Sequence, residues 1–238
     1  MGAAHAVALG ALGGVGAVRR AGRRRGVRRR AGRPLVTPRF IALEGIDGSG
    51  KTTQAALLAD ALERRGLTVT RTREPGGTLL GERVRQIVLS GDPGHLTLVA
   101  EAHLFAAARA ELVERVVRPS LAAGRWVVSD RFLDSSLAYQ GAARGLGIDT
   151  VLDINSEAVG DCLPDLALVI DTPVGAAAWR RSAAHDRIEA EGAGFQGRVA
   201  GGYRDLAARF PGRIRLVAGD GSVDEVHARV MAAVGSFL

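Results

Sequence analysis

The chain is poor in two residue types that often carry chemistry, cysteine and lysine. Cys162 is the only cysteine in 238 residues, so no disulfide can form within the chain, and a reducing compartment such as the cytoplasm is indicated. We interpret its side chain as a small buried hydrophobic group. Lys51 is the only lysine among 32 basic residues. A chain that uses arginine everywhere else therefore keeps one compact ammonium group.

Acidic residues are absent from residues 1–39, which contain ten arginines. Because the whole chain carries a net charge of +7, subtracting these ten charges leaves −3 for residues 40–238. The composition of that larger part gives no argument for nucleic-acid binding. Long apolar runs are absent as well. The apolar stretch 3–18 is short, rich in glycine and followed by the basic run 19–33, which is the reverse order of a secretory signal, so no membrane span is expected.

The basic run 19–33 leaves two interpretations open. Its arginines could bind nucleic acid or anionic lipid. We favour a disordered extension over residues 1–39, because like charges repel each other and no apolar face is available to fold them. Residues 40–238 are then one domain that is large enough to build its own core.

A glycine-rich motif beginning at Gly45 is the most informative stretch. It matches G-x-x-x-x-G-K-[ST], a phosphate-binding loop that joins a strand to a helix. An apolar run at 40–43 precedes it and a helical pattern at 53–62 follows it, which disfavours a chance match. We expect its backbone N–H groups and the helix dipole to surround phosphate oxygens. The predicted phosphate-binding residues, to which the family resemblance given below assigns ATP, are Gly45, Ile46, Asp47, Gly48, Ser49, Gly50, Lys51 and Thr52.

Two side chains of this loop have predicted chemical roles. The Lys51 ammonium would reach the β- and γ-phosphates, because a compact charge fits a loop already crowded with phosphates. The Thr52 hydroxyl would hold Mg²⁺.

From residue 39 onward, strand and helix patterns alternate. This order predicts an α/β fold in which a five-stranded parallel sheet has helices on both faces. We expect helices at 78–90, 97–122 (loosened near Pro119) and 222–237, and strands at 40–43, 67–72, 126–129, 166–170 and 213–217. Ligands of such sheets bind at the carboxyl ends of the strands, where Gly45, Arg73, Asp130 and Asp171 lie.

Several side chains near these strand ends suit a nucleotide. Arg73, beside a Pro-Gly-Gly loop, could clamp a phosphate, although a surface arginine is the alternative. Phe105 and Arg109 are four residues apart on one helix and could stack on and hydrogen-bond a nucleobase, although a core phenylalanine is the alternative. Asp130 ends a buried strand, where an acid must be paired or near a metal. Potential contacts to a sugar or base follow it at Arg131, Ser135, Ser136, Tyr139 and Gln140.

Residues 180–195 combine arginines with small and acidic residues. We expect this segment to be mobile and unable to pack a core. It could fold over the triphosphate and supply positive charge through Arg180, Arg181 and Arg187, although a solvated loop is the alternative.

Together these segments resemble the thymidylate kinase family. The resemblance covers residues 40 to about 217 and rests on FIALEGIDGSGKTTQ (40–54), REPGG (73–77), LFAAAR (104–109), DRFLDSSLAYQG (130–141) and DRIE (186–189). It implies a P-loop nucleoside-monophosphate-kinase fold, a lid at about 180–194, and transfer of the γ-phosphoryl group of ATP to dTMP with Mg²⁺. The product dTDP lies on the route to dTTP for DNA replication. The resemblance also implies a homodimer formed through long helices. The segment 96–113 is apolar nearly all round, which requires burial on more than one side, although a helix wholly inside one domain would explain it equally well.

The resemblance further implies roles for individual residues. Arg73 would hold the dTMP phosphate, Phe105 would stack on thymine and Arg109 would donate to its carbonyl edge. The remaining dTMP contacts would come from Asp47 at the 3′-hydroxyl, Tyr139 at the 2′ position, Arg131 between the two phosphates, and Ser135, Ser136 and Gln140 along the pocket.

The chain departs from some relatives at two positions. Gly48 stands where some members carry a catalytic arginine, so in this chain that positive charge must come from the lid. The catalytic candidates are therefore Lys51, Arg131 and the lid residues Arg180, Arg181 and Arg187. Ala108 stands where many relatives have Asp, which makes the orientation of Arg109 less certain. Asp130 is a second candidate metal ligand, through water.

Two other classes of function stay open. One is a different P-loop kinase or a nucleotide switch. A GTPase that uses Asn-Lys-x-Asp is excluded, because Lys51 is the only lysine. The other is a nucleic-acid or membrane-binding protein that uses the arginine-rich extension.

Overall fold

The structure is a computed structural model that describes residues 37–90, 96–180, 188 and 191–238. Most of the predicted extension 1–39 lies outside the described residues. So do Arg181 and Arg187 of the predicted lid.

A five-stranded, fully parallel sheet forms the centre of the fold, in the order β2-β3-β1-β4-β5. This confirms the predicted sheet, and the observed strand ends differ from the predicted ones by one or two residues. The strands are β1 (Phe40–Glu44), β2 (Val69–Arg73), β3 (Trp126–Asp130), β4 (Leu166–Asp171) and β5 (Ile214–Ala218). Because β1 lies in the middle, its carboxyl end is flanked by those of β3 and β4, and the loop after it lies in the crevice that α/β ligands use.

Helices cover both faces of the sheet, as predicted. They are α1 (Lys51–Arg64), α2 (Leu79–Leu89), α3 (Leu98–Leu112), α4 (Arg118–Ala122), α5 (Leu133–Ser136), α6 (Ile148–Val159), α7 (Val174–Arg180), α8 (Gly192–Arg209) and α9 (Val223–Val234). Two π-helical turns (Val113–Val117 and Leu137–Ala143) and a short 3-10 turn (Gly235–Phe237) complete them.

The central strand shows why the core has two halves. All five residues of β1 are buried, and successive side chains of a strand point to opposite faces. Phe40 and Ala42 accordingly pack into the cluster under α5, α6 and α8. Ile41 and Leu43 pack into the other cluster, against α1 and α9. An apolar run without alternation is therefore what a strand buried on both faces requires.

The long helix predicted at 97–122 is interrupted. The chain widens into a π-helical turn over Val113–Val117, just before Pro119 in the first turn of α4. Proline has no N–H, and its ring crowds the carbonyl four residues earlier, so a regular helix cannot continue. The predicted loosening near Pro119 is confirmed.

The prediction for residues 180–195 is wrong in part. Arg180 ends α7, and α8 begins at Gly192. Phe195 is only 3% exposed and belongs to the core. The glycines that suggested mobility lie on the exposed side of the first turn of α8, while every third or fourth residue after them is buried.

Among the described residues, no helix combines the length and the apolar character that a membrane crossing requires.

Candidate active site

The loop after β1 turns sharply toward α1. Gly45 has φ 141°, and a Cβ there would lie 2.7 Å from Ser49 Oγ and 2.9 Å from the Ile170 carbonyl oxygen, so only glycine fits. Gly50, with φ 95°, is the residue before the first turn of α1. The helix begins at Lys51, and its N-terminal N–H groups face the loop, which is the arrangement that binds phosphate.

Lys51 is buried inside this loop, with 7% of its surface exposed. Its Nζ donates to the Ile46 carbonyl oxygen at 3.2 Å and lies 3.6 Å from Asp47 Oδ1. Burial lowers the pKa of Lys51, and the positive charge of Arg131 lowers it further, whereas Asp47 opposes both effects. Asp47 is thus an anionic partner of the Lys51 ammonium within the phosphate-binding loop.

Asp47 is the acid at the centre of the site. Burial by itself raises its pKa, but the nearby Arg131 and Lys51 outweigh burial and bring the pKa to about 2. Its Oδ2 accepts hydrogen bonds from Tyr139 at 3.1 Å and from Gln196 at 3.0 Å. Asp47 is thus ionised at neutral pH and held on several sides.

Arg131 adopts a strained backbone conformation. Its φ is 73°, and no other non-glycine residue in the described part of the chain has positive φ. Neighbouring groups hold it: its N–H donates to the Leu43 carbonyl at 2.9 Å, and Ser129 Oγ donates to its carbonyl at 2.6 Å. The strain directs the guanidinium to Asp47 and to the Gly45 carbonyl oxygen, at the mouth of the loop.

Glu44 is a buried acid that contacts residues next to Arg131, and it was not among the predicted site residues. It accepts hydrogen bonds from Phe132 N at 2.8 Å, Ser135 Oγ at 2.5 Å and the Tyr203 hydroxyl at 3.0 Å. Burial, followed by repulsion from Asp134, raises the pKa of Glu44 to about 8. Its position could have been found from the sequence, because Glu44 ends a buried strand as Asp130 does.

The side chains of Thr52, in the first turn of α1, and Asp130, at the end of β3, contact each other. Thr52 Oγ1 donates to Asp130 Oδ2 at 2.5 Å, while Asp130 Oδ1 is buried and makes no hydrogen bond. A hydroxyl, a carboxylate and water are ligands that suit Mg²⁺, which is held by few protein groups and by substrate phosphates. No group of three or more His, Cys, Asp or Glu side chains with metal-binding geometry occurs among the described residues. The pair therefore fits Mg²⁺ that arrives with a nucleotide.

A cavity of about 320 Å³ opens beside the loop. All of the predicted dTMP-binding residues line it, although they come from distant parts of the chain: Asp47, Arg73, Phe105, Arg109, Arg131, Ser135, Ser136, Tyr139 and Gln140. The lining also contains residues to which the sequence analysis assigned no dTMP contact: Glu74, Pro75, Arg85, Leu89 and Ile188.

Arg109 is held firmly although Ala108 replaces the Asp of many relatives. It is 1% exposed, and its Nε donates to Glu74 Oε2 at 2.9 Å. Its Nη2 donates to Ser136 Oγ at 3.0 Å, and its Nη1 to Asn155. The orientation that was uncertain from the sequence is thus set by Glu74, whose pKa burial raises despite the opposing charge of Arg109.

Arg73 also lines the cavity, and its side chain is half exposed. Its Nη2 lies 3.0 Å from both carboxylate oxygens of Glu82, and Glu82 also accepts from the Gly77 N–H at 3.0 Å. The guanidinium keeps its remaining donors for a ligand in the cavity.

A second cavity, of about 430 Å³, lies on the other side of the loop. Arg180 lines it, and its Nη1 lies 3.4 Å from the Gly219 carbonyl oxygen. The other lining residues are Gly48, Ser49, Gly50, Lys51, Thr52, Thr53, Gln54, Gly221, Ser222, Val223 and Val226. Of the three predicted lid arginines, this is the one that lies within the described residues.

Known proteins match this chain over nearly the whole described part. The family model "Thymidylate kinase" matches residues 43–230. The thymidylate kinase of Rhizorhabdus wittichii is 48% identical over 204 residues, covering 84% of this chain and 98% of that protein. The thymidylate kinase of Syntrophotalea carbinolica is 44% identical over 207 residues, covering 84% and 96%. A crystal structure of thymidylate kinase from Ehrlichia chaffeensis superposes with a TM-score of 0.68 at 34% identity, covering 83% of this chain and 98% of that one.

The matched region begins within β1 and ends within α9, so it includes the end of β1, the other four strands and the lining of both cavities. The relatives align along almost their full length. The loop, the sheet order and these alignments agree, and the chain belongs to the thymidylate kinase family of nucleoside-monophosphate kinases.

Proposed function

We propose that this chain transfers the γ-phosphoryl group of ATP to dTMP, giving dTDP and ADP, a step on the route to dTTP. Family membership supports this reaction. The observation that carries it is that the two cavities share Lys51 and Thr52 in their linings. Nucleotides bound in the two cavities would therefore direct their phosphates to the same two side chains.

The first cavity would hold dTMP. Its lining offers the half-exposed Arg73 for the phosphate and Phe105 for the base. Arg109 would donate to the carbonyl edge of thymine, and Asp47 would accept from the 3′-hydroxyl. Tyr139 is 5% exposed and would leave no room for a 2′-hydroxyl. Ser135, Ser136 and Gln140 would complete the lining.

The second cavity and the loop would hold ATP, with its phosphates against Lys51 and the N-terminus of α1. We propose that Thr52 and Asp130 hold Mg²⁺, Asp130 through water. When bound, Mg²⁺ supplies positive charge to the phosphate oxygens. The unpaired Asp130 Oδ1 supports this assignment.

Catalysis would rest on position and charge. The acceptor phosphate is itself a nucleophile, so no protein base has to remove a proton from it. Lys51 and Arg131 would stabilise the charge on the transferring phosphoryl group. We propose that a lid over about 180–194 adds further charge through Arg180, Arg181 and Arg187.

We also propose that the chain forms a homodimer through α2 and α3. Large apolar side chains of these helices are exposed, including Leu79 at 75%, Val99 at 52% and Ile87 at 46%. Neighbouring exposed apolar residues on monomers favour an interface. In sedimentation velocity the chain should behave as a dimer, and Ile87→Asp with Val99→Asp should give a monomer. Leu163→Asp, outside these helices, is the control and should leave the mass unchanged.

A cytoplasmic location stays a prediction, from the single cysteine.

An acceptor panel tests the proposed reaction. In a coupled assay of ATP consumption, dTMP should be phosphorylated with the highest kcat/KM among dTMP, dUMP, dCMP, AMP and shikimate. Phosphoryl transfer should require Mg²⁺ and stop when EDTA is added. A higher kcat/KM with AMP or shikimate would assign the chain to another kind of P-loop kinase.

A further inference from the structure

Glu101 is a buried acid of α3 that contacts a residue of the first cavity. It is 1% exposed, and its Oε1 accepts a hydrogen bond from Gln140 Nε2 at 2.7 Å. Gln140 is 2% exposed and lines the cavity. The two side chains therefore form a buried pair directly behind the surface that a ligand would touch.

The chemistry of this pair decides which way the Gln140 amide points. A carboxylate can only accept hydrogen bonds, whereas an amide has one end that donates and one that accepts. Gln140 must therefore turn its NH₂ group toward Glu101. Its carbonyl oxygen Oε1 is then the group that it presents to a ligand in the cavity.

Arg144 stabilises Glu101 as an ionised carboxylate. Its Nε lies 2.9 Å from the same carboxylate oxygen, and its side chain is only 10% exposed. A buried carboxylate needs such a partner, because an unpaired buried charge is strongly unfavourable. The cation thus maintains an acceptor-only group behind Gln140.

We propose that Glu101 is a positioning residue that sets the nucleobase preference by fixing the Gln140 amide with its oxygen toward the ring. This inference rests on the proposed function. An exposed amide oxygen accepts from N3–H of thymine. Cytosine carries an unprotonated N3 acceptor at that position, so two acceptors would face each other and both would lose their hydrogen bonds.

The variant Glu101→Met should weaken this preference in a defined way. Gln140 and Arg144 contact the same oxygen of Glu101, and methionine, of similar size, removes that acceptor, so the Gln140 NH₂ group is no longer held. Gln140 can then turn its own NH₂ group into the cavity, where it suits cytosine. The ratio of kcat/KM for dTMP to that for dCMP should fall by about tenfold or more, the size expected for one hydrogen bond.

A second ratio separates positioning from general loosening of the pocket. Because dUMP keeps N3–H and lacks only the 5-methyl group, the ratio for dTMP to dUMP should stay within about twofold of the wild-type value. A variant that merely deforms the pocket would change both ratios. Glu111→Met is the matched control, since Glu111 lies on the same helix and pairs with the exposed Arg115.

The outcomes are distinct. If the wild-type chain does not phosphorylate dTMP, the proposed function itself is contradicted. An active wild type with an unchanged dTMP to dCMP ratio in Glu101→Met overturns only the role of Glu101. If Glu101→Met does not fold, as judged by circular dichroism, Gln140→Leu replaces it. That variant deletes the amide and should lower the same ratio, and an unchanged ratio would again overturn the proposal.

Discussion

Gln196 holds Asp47 with both ends of its amide. Its Nε2 donates to Asp47 Oδ2 at 3.0 Å, and its Oε1 accepts from the Asp47 N–H at 3.3 Å. Gln196 lies in the first turns of α8, just after the proposed lid, and is 1% exposed. The acid of the phosphate loop is thus positioned by the helix that follows the lid.

This contact predicts a selective effect of Gln196→Leu. Asp47 should lose its orientation, and kcat/KM for dTMP should fall by about tenfold, the size of one hydrogen bond to a charged group. The 3′-deoxy analogue of dTMP has no hydroxyl for Asp47 to bind, so its kcat/KM should change much less. Asp205→Ala, on the exposed side of the same helix, is the control and should leave both values unchanged. Equal losses with both nucleotides would contradict the assigned role of Asp47.

Lys51→Ala should lower kcat by several orders of magnitude while leaving dTMP binding largely intact. The ammonium is buried in the loop and is proposed to act on the transferring phosphate, so its removal affects the transition state more than the ground state. Steady-state rates give kcat, and calorimetric titration with dTMP gives the binding constant. A fall in kcat of less than about tenfold, or ~1.4 kcal/mol, would show that Lys51 does not have this role.

Arg73→Ala should weaken the binding of dTMP by about tenfold to a hundredfold, because a charge-assisted contact to phosphate is lost. Thymidine lacks the phosphate, so its dissociation constant should not change. Isothermal titration with both ligands measures the difference. Arg71→Ala serves as the matched control on β2, since Arg71 pairs with Asp60 and Glu63 rather than lining the cavity. A parallel loss of thymidine binding would indicate damage to the pocket instead.

Glu44 predicts a pH dependence of stability. Its pKa in the folded chain is about 8, above the ordinary value of 4.5, so the folded state binds the proton more tightly than the unfolded state. The stability that this proton contributes is fully present below pH 4.5 and is lost as pH rises through 8. A glutamine side chain at this position does not titrate, so the stability of Glu44→Gln relative to wild type should increase from pH 5 to pH 8.

Urea unfolding at both pH values measures this change, which should exceed about 1.4 kcal/mol, the equivalent of one pKa unit. Asp47 provides the opposite case. Its pKa of about 2 lies below the ordinary 3.8, so its contribution is present above pH 3.8 and is lost as pH falls through 2. Asp47→Asn should therefore show no such change between pH 5 and pH 8. An identical pH response of Glu44→Gln and wild type would contradict a raised pKa at Glu44.

Local patterns predicted the sheet and most of the site lining. The apolar runs around Ile41 and Leu168 marked strands because both faces of a central parallel strand are buried. The motif at Gly45 marked the phosphate loop because few residues other than glycine tolerate its backbone angles. The helix α8 was not predicted, because glycine and arginine in its first turns concealed the buried Phe195.

The sequence by itself determined the five strands, the phosphate loop and the family, since these depend on residues that are near each other in the chain. Only the tertiary structure decided which partners hold the site. Gln196 meets Asp47 across 149 residues, and Arg109 meets Glu74 across 35. Periodicity reports which side of an element is buried, but it does not report which polar groups from distant elements satisfy each other there.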